Sequence, residues 1–124
     1  MIKFKSLNQS KQFLRIFKKK RLNAKYFTLF FEKRSNNLIN NEKKKLNISF
    51  IMKKNIGNAV KRNKIKRKLK SAVRKVINEK KKIDLDYTYV IFGRNNVYKD
   101  KFSLVFNEIN DVFGKIKKII NVKV

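Results

Sequence analysis

A stripe of apolar residues at helical spacing dominates the middle of the chain, in the segment IGNAVKRNKIKRKLKSAVRKVI that spans Ile56–Ile77. Six residues make up the stripe: Ile65, Leu69, Ala72, Val73, Val76 and Ile77. Their spacing follows the helical period of about 3.6 residues, so these side chains share one face. Just before the first turn, Asn58 has a side chain suited to capping free backbone amides. The pattern predicts one amphipathic helix with a buried side.

Shorter apolar segments on either side of this helix predict strands. Three of them combine aromatic and β-branched residues with alternation: YFTLFF at 26–31, LNISFIM at 46–52 and YTYVIF at 87–92. Alternation in the first divides its residues between two faces. One face carries Phe27, Leu29 and Phe31, and the other carries Tyr26, Thr28 and Phe30. Because both faces are apolar, we expect both to be covered, one by protein core and the other by core or by RNA.

Two more helices are predicted near the ends of the chain. The first covers Ser6–Phe17, with Ser6 or Asn8 as its cap, and the second follows Asp100 as its cap. An apolar stripe at helical spacing marks the second: Phe102, Val105, Phe106, Ile109, Val112, Phe113, Ile116, Ile119 and Ile120. Residues 34–45 lack any apolar period and are predicted to form a mobile surface loop. The element order α-β-β-α-β-α predicts a single α+β domain.

Composition narrows the class of protein and of partner. The chain has 124 residues, of which 42% are hydrophobic, enough for one domain with a core. Its formal net charge of +27 favours nucleic acid as the partner. The absence of Cys and His excludes disulfides, thiol chemistry, His-based catalysis and Cys or His metal sites. No run of about 18 apolar residues is present, and the N-terminus lacks the apolar core of a signal peptide.

The central helix carries many positive charges and has no acidic residue within its own sequence to balance them. No acidic residue occurs between Glu42 and Glu79, although like charges three and four residues apart are mutually destabilising. A basic helix that served only solubility would interleave Glu with Lys. The alternative to a binding surface is a basic face that contacts only solvent. We expect an external polyanion to relieve the repulsion and to release its counterions on binding.

The same residues resemble a known signature. KKNIGNAVKRNKIKRKLKSAVR is similar to the signature of the bacterial ribonuclease P protein component, whose core reads roughly Arg-Asn-Arg-x-x-Arg. Arg62, Asn63, Lys64 and Arg67 fall on that core, with Lys64 in place of an Arg. A Lys keeps the charge but lacks the planar guanidinium fork. The resemblance covers residues 7–119 and implies a sheet of about four strands packed with three helices, with a left-handed β-α-β crossover around the basic helix.

The resemblance also implies a function and a set of partners. Members assist a catalytic RNA, which holds the Mg²⁺ ions and removes the 5′ leader from precursor tRNA. The protein itself then has no catalytic residue and binds no cofactor or metal. It is expected to be a monomer bound 1:1 to the RNA, in the bacterial cytoplasm or in an organelle of bacterial origin, with no membrane partner.

Two groups of site residues follow from the resemblance. The first, here called the helix front, is expected to face the catalytic RNA: Arg62, Asn63, Lys64, Lys66, Arg67 and Lys70. The second is expected to form a cleft for the single-stranded leader: Phe13, Phe17, Phe30, Lys53 and Lys54. Stacking on aromatic rings tolerates any base, which suits a protein that must accept many leaders.

Several other interpretations remain open on sequence alone. Asp84 and Asp86 form a D-x-D pair that suits a hard cation, although ordinary turn chemistry explains it as well. A structural RNA-binding protein of the ribosomal type would share the composition. A DNA-compacting protein and a membrane-surface protein are further alternatives. No combination of nucleophile, base and oxyanion hole is evident, which argues against a self-sufficient enzyme.

Overall fold

A five-stranded mixed sheet with helices on both faces organises the chain. The computed structural model describes residues 2–7, 9–34, 45–79 and 83–122, with side chains as far as residue 119. The strands are β1 (Phe4–Lys5), β2 (Lys20–Asn23), β3 (Phe27–Lys33), β4 (Leu46–Ile51) and β5 (Tyr87–Gly93). The helices are α1 (Ser10–Ile16), α2 (Ala59–Glu79), α3 (Asn96–Lys99) and α4 (Phe102–Val122), and a 3₁₀ turn covers Lys54–Ile56.

The strand order is β1-β4-β5-β3-β2, which places β5 at the centre of the sheet. β3 runs antiparallel to both β5 and β2, whereas β4 runs parallel to both β5 and β1. Because β4 and β5 are adjacent, parallel and joined through α2, the basic helix forms the crossover of a β-α-β unit. The crossover is confirmed, and its left-handed sense stays a prediction from the resemblance.

The α+β prediction is confirmed, but the strand count of about four is too low. The two strands beyond the three that the pattern predicts are short edge strands with little hydrophobic signal. β1 has two residues, and β2 reads KRLN. Register explains why β2 forms: Lys20 pairs opposite Phe31 and Leu22 opposite Leu29, so Leu22 joins the core face. Charged residues at a sheet edge also discourage pairing with another chain.

The main core lies between one face of the sheet and the two long helices. All six apolar stripe residues of α2 are buried, as predicted. Phe27, Leu29 and Phe31 face them, also as predicted, and Val105, Ile109 and Ile116 contribute from α4. Fully burying one such aliphatic or Phe side chain contributes about 1.5–3 kcal/mol, so this interface dominates the stability of the domain.

Tyr26 was assigned to the wrong face of β3. It precedes the strand and packs into the main core. Its hydroxyl donates to Asp100 Oδ2 at 2.6 Å, and its backbone amide donates to Glu108 Oε1 at 2.7 Å. The hydrogen bond to Asp100, with burial and the nearby carboxylates, raises the pKa of Tyr26 to about 12. This residue therefore ties the start of β3 to α4.

A second, smaller core lies under α1 on the opposite face of the sheet. Ile16, Phe30 and Val90 are buried there. Five partly buried hydrophobic side chains pack against them: Leu7, Phe13, Phe17, Ile51 and Phe92. Both faces of β3 are therefore covered, and α1 leaves part of the second face open.

The helix ends agree only partly with the predicted caps. Asn58 Oδ1 accepts the Lys61 amide at 2.9 Å, which confirms the cap of α2. Gly57, at φ 157°, supplies the turn before it, a backbone conformation that other residues rarely adopt. The predicted cap Ser6 is wrong, because α1 begins at Ser10 after Gln9 and has no side-chain cap bond. Asp100 is wrong as the cap of the last helix, because it ends α3 and α4 starts at Phe102.

Two predictions fall partly or wholly outside the described residues. They concern Asn8 as a cap and most of the 34–45 loop. The loop's two ends are described. The buried Arg34 guanidinium donates to the carbonyl oxygens of Lys45 and Leu85, each at 2.9 Å, so it holds the two loop ends near β5. Among the helices that the structure describes, none is long and apolar enough to cross a membrane.

Candidate nucleic-acid interface

The helix front lies on the side of α2 that faces away from the core. Asn63, Lys64, Lys66, Arg67 and Lys70 are exposed, and Arg62 is half-buried. Over residues 2–7, 9–34, 45–79 and 83–122, the ion pairs are Arg15–Glu32 and Lys25–Asp100, and neither involves α2. Within that part of the chain no carboxylate neutralises the helix front, as the sequence predicted. An exposed row of unpaired cations on a rigid helix is suited to contacting phosphates without reading bases.

Other cations of the same helix are used inside the protein. Arg74 stacks 4.2 Å above the centre of the Phe4 ring and donates to the Ile2 carbonyl oxygen. Lys75 lies 4.6 Å from the Phe106 ring centre, and Lys68 donates to the backbone carbonyl oxygen of Asp100. In the structure, Arg74 and Lys75 therefore contact β1 and α4, and Lys68 contacts the end of α3. Lys66, Arg67 and Lys70 of the helix front remain exposed.

Tyr98 extends the basic surface beyond α2. It lies on the one-turn helix α3 and is 41% exposed. Its ring centre is 5.2 Å from Lys61 Nζ and 5.9 Å from Lys64 Nζ. Cation–π attraction at such an exposed site is worth about 0.5–1 kcal/mol. The sequence analysis missed this residue, because its position depends on how α3 docks against α2.

A groove of about 610 Å³ opens next to the second core and is here called the leader groove. Its lining combines aromatic, basic and polar side chains. Three Phe rings form its apolar part: Phe17, Phe30 and Phe92. Arg21, Lys53 and Arg94 supply positive charge around them. An open groove with apolar rings and a basic rim is the form that single-stranded nucleic-acid sites take.

The three rings contact one another but differ in exposure. Phe17 is 5.2 Å from Phe30 and 5.3 Å from Phe92, measured between ring centres, and Phe30 is 5.8 Å from Phe92. Phe30 is only 7% exposed, whereas Phe17 and Phe92 are half-buried. Phe30 therefore supports the other two rings from below, and the surface open to a base belongs to Phe17 and Phe92.

The structure brings together three of the five predicted cleft residues. Phe17, Phe30 and Lys53 line the leader groove. Phe13 contacts Phe17, with ring centres 6.2 Å apart, but lies outside the lining. Lys54 is exposed in the 3₁₀ turn and also lies outside the lining. Three of the five residues therefore share one groove, Phe13 adjoins it through Phe17, and the role of the five in binding a leader stays a prediction.

Phe92, Arg21 and Arg94 are among the lining residues that the sequence did not predict. Phe92 shares a sheet face with Val90, and alternation along YTYVIF would have placed both on the side of the second core. Arg21 was hidden within the unpredicted strand β2. Arg94 donates from Nη2 to Thr28 Oγ1 at 2.9 Å, and Thr28 donates in turn to Asn23 Oδ1 at 3.0 Å. Only the fold reveals the contact between Arg94 and Thr28, because these two residues are 66 positions apart in the chain.

Gly93 joins the leader groove to the basic helix. It lines the groove, and on its other side it faces Met52 and Leu69. A Cβ atom at this position would lie 2.5 Å from Met52 Sδ and 2.8 Å from Leu69 Cδ1. A side chain here would have to displace the ends of Met52 and Leu69, so glycine allows the close approach of β5 to α2. Because Leu69 is fully buried, this contact is made on the core side of α2.

The D-x-D pair behaves as a turn. The Asp86 amide donates to Asp84 Oδ1 at 2.8 Å, which is the ordinary hydrogen bond of an Asx turn. The described residues include no cluster of three or more acidic side chains able to hold a metal ion.

Comparison with known proteins places this geometry in context. A family model described as Ribonuclease P matches residues 1–117. The chain is 27% identical over 122 residues to the ribonuclease P protein component of Carboxydothermus hydrogenoformans, with 98% of each chain covered. Its fold is similar to that of the RNase P protein from Thermotoga maritima, with a TM-score of 0.67 and 23% identity over 90% of this chain and 96% of that one. The Staphylococcus aureus RNase P protein gives a TM-score of 0.68 at 22% identity, over 91% and 94%.

Proposed function

Because the chain belongs to the ribonuclease P protein family, it functions in the 5′ maturation of tRNA, and we propose that it does so as a subunit without an active site of its own. The absence of His and Cys supports this division of labour. So does the scarcity of acids, 8 against 35 Lys and Arg. Cleavage then belongs to the RNA, which holds the Mg²⁺ ions. The family assignment disfavours the ribosomal-protein alternative.

The helix front binds the catalytic RNA in this proposal. Its support is a row of exposed cations that no described carboxylate pairs with. Each phosphate neutralised releases counterions, so binding is expected to weaken steeply with salt. Neutralised phosphates also repel one another less, so the assembled RNA is expected to need less Mg²⁺. The proposal includes a complex of one protein with one RNA in a bacterial cell.

The leader groove binds the single-stranded 5′ leader of precursor tRNA. The observation that carries this step is the pairing of two half-open rings, Phe17 and Phe92, with a rim of Arg21, Lys53 and Arg94. Stacking on such rings contributes about 1–3 kcal/mol per base whatever the base. Because mature tRNA has no leader, the groove lets the enzyme hold precursor and release product.

The test is a comparison of precursor and mature tRNA binding to the partner RNA, with and without the protein. The protein is expected to strengthen precursor binding and to leave mature tRNA binding nearly unchanged. Phe17→Leu keeps an apolar side chain but removes the stacking face, so it is expected to lose most of the precursor gain. Leu14→Ala, at a 63% exposed position of the same helix, is the matched control. Equal strengthening of both tRNAs by the parent protein would overturn the leader assignment.

A further inference from the structure

A second groove, here called the lysine groove, lies at the opposite end of β3 and β5 from the leader groove and has a volume of about 910 Å³. Four lysines surround it: Lys18, Lys19, Lys20 and Lys33. They come from the α1–β2 segment and from the end of β3, and all four are exposed. Cations from separate elements that converge on one concave surface concentrate a positive potential there.

Little negative charge opposes these lysines. Among the described lining residues Glu32 is the single acid, and its carboxylate lies 3.0 Å from the Arg15 guanidinium. The nearby carboxylates of Asp84 and Asp86 belong to the turn before β5 and lie outside the lining. The charge of the groove therefore matches a polyanion.

The floor of the groove is apolar and aromatic. Phe31 is buried, Tyr87 is half-buried, and their ring centres are 6.3 Å apart. Ile119 of α4 closes one side. Burial, followed by the carboxylates of Asp84 and Asp86, raises the pKa of Tyr87 above its ordinary value. Aromatic and apolar side chains beneath a basic rim suit unpaired nucleotides, as in the leader groove.

The two grooves open on opposite faces of the sheet and share its β2 edge, where Arg21 lines the leader groove and Lys20 lines the lysine groove. Phe17 lines the leader groove and the next residue, Lys18, lines the lysine groove. Strand β2 then runs from Lys20, opposite Phe31, to Asn23, opposite Thr28. Its three residue steps span about 10 Å. A bound strand could pass from one groove to the other along this short, exposed and basic edge.

The order in which a strand meets the grooves follows from the position of α2. Ile56, just before the helix, lines the leader groove, and Gly93 of that groove packs against Leu69. Lys53 and Ile56 lead directly into the start of α2, and no described α2 residue lines the lysine groove, so RNA on the helix front lies nearer to the leader groove than to the lysine groove. A leader that emerges from the catalytic RNA reaches the leader groove first.

We propose that the lysine groove binds the phosphates of the 5′-distal part of long leaders, after the strand has crossed the leader groove. This inference rests on the proposed function and specifies which part of the substrate the second groove takes. It predicts that the protein favours precursors with long leaders over those with short ones.

The experiment uses the reconstituted holoenzyme and three tRNAs that differ only in their leaders. One is mature, one has a leader of about four nucleotides, and one has a leader of about sixteen, the limits of common single-strand site sizes. The test variant is K18Q/K19Q/K33Q, which spares the β2 ladder. The control variant, K99Q/K101Q/K115Q, removes the same charge from exposed positions elsewhere.

The parent and the control are expected to bind the long-leader precursor about tenfold more tightly than the short-leader precursor. The test variant is expected to lose that gain, to keep its affinity for the short leader, and to show a salt slope smaller by about two for the long leader. The inference is overturned if the parent shows no length dependence, if the test variant keeps the gain, or if the control loses as much. Failure of the proposed function has a different signature, namely equal binding of mature and short-leader tRNA by the parent.

Discussion

The helix front and the leader groove present different chemistry. The helix front is a convex row of cations with Tyr98 at its margin. The leader groove is concave, with two half-open rings and three cations along its rim. Charges on a rigid helix fit phosphates that are already fixed in a folded RNA. Rings in a groove instead suit bases that are unpaired and variable. The contrast is the basis for proposing that one surface serves assembly and the other serves substrate selection.

The largest expected effect is on the helix front. Lys66→Ala with Arg67→Ala is expected to weaken assembly with the partner RNA about a hundredfold and to lower the salt slope by about two. The measurement is a titration of the RNA at several salt concentrations. Lys115→Ala with Lys117→Ala, which removes two exposed cations from α4, is the control. An unchanged salt slope in the test variant would show that the helix front does not contact RNA phosphates, and the two surfaces would then not differ as described.

The next effect separates the rings of the leader groove. Phe92→Leu is expected to weaken precursor binding about tenfold and to leave assembly with the RNA intact, because a half-open stacking face is lost. Phe30→Leu is expected to change precursor binding little, since Phe30 is 7% exposed, and to lower the free energy of unfolding by about 1 kcal/mol. Precursor binding and chemical denaturation of both variants test this. The reverse ranking of the two variants in precursor binding would make Phe30 the stacking residue.

A smaller effect on RNA assembly is expected at Tyr98, whose ring lies next to two lysines of α2. Tyr98→Leu removes the cation–π support of Lys61 and Lys64, so RNA assembly is expected to weaken about threefold. Tyr98→Phe keeps the ring and is expected to bind like the parent. If both variants lost the same affinity, the phenol hydroxyl rather than the ring would be responsible.

The smallest effect tests the Lys in the Arg-Asn-Lys sequence of the helix front. Lys64→Arg adds a planar fork that can bind one phosphate through two hydrogen bonds. Assembly with the RNA is expected to tighten about twofold, with no change in the preference for precursor over mature tRNA. A change in that preference instead would show that the two surfaces are not independent.

The basic helix was the most predictable part of the molecule. Its apolar stripe has a strong period, and each predicted stripe residue is buried because nothing in the tertiary fold competes with that pattern. The same period predicts the position of the helix front, which lies on the side of α2 opposite the apolar stripe. The sequence could not show which cations of α2 make contacts within the protein. Arg74 and Lys75 contact aromatic rings of β1 and α4, and these partners are distant in the sequence. Lys66 and Arg67 have no such partner among the described residues.

The leader groove was only partly predictable, because it is assembled from several separate segments. Phe17 and Phe30 could be placed through the resemblance, but Arg21 lies in a strand whose own sequence carries almost no β signal. Register with β3, rather than local propensity, makes that strand form. Arg94 depends on a hydrogen bond to Thr28 across the sheet. Short edge elements and long-range polar contacts are where reasoning from local pattern fails.

The tight packing at Gly93 has a consequence for the proposed function. With no side chain between β5 and Leu69, the strand that carries Phe92 rests directly on the basic helix. If the two surfaces bind as proposed, the domain holds the leader at a fixed offset from the catalytic RNA. A larger residue at position 93 is expected to displace Met52 and Leu69 and to change that offset.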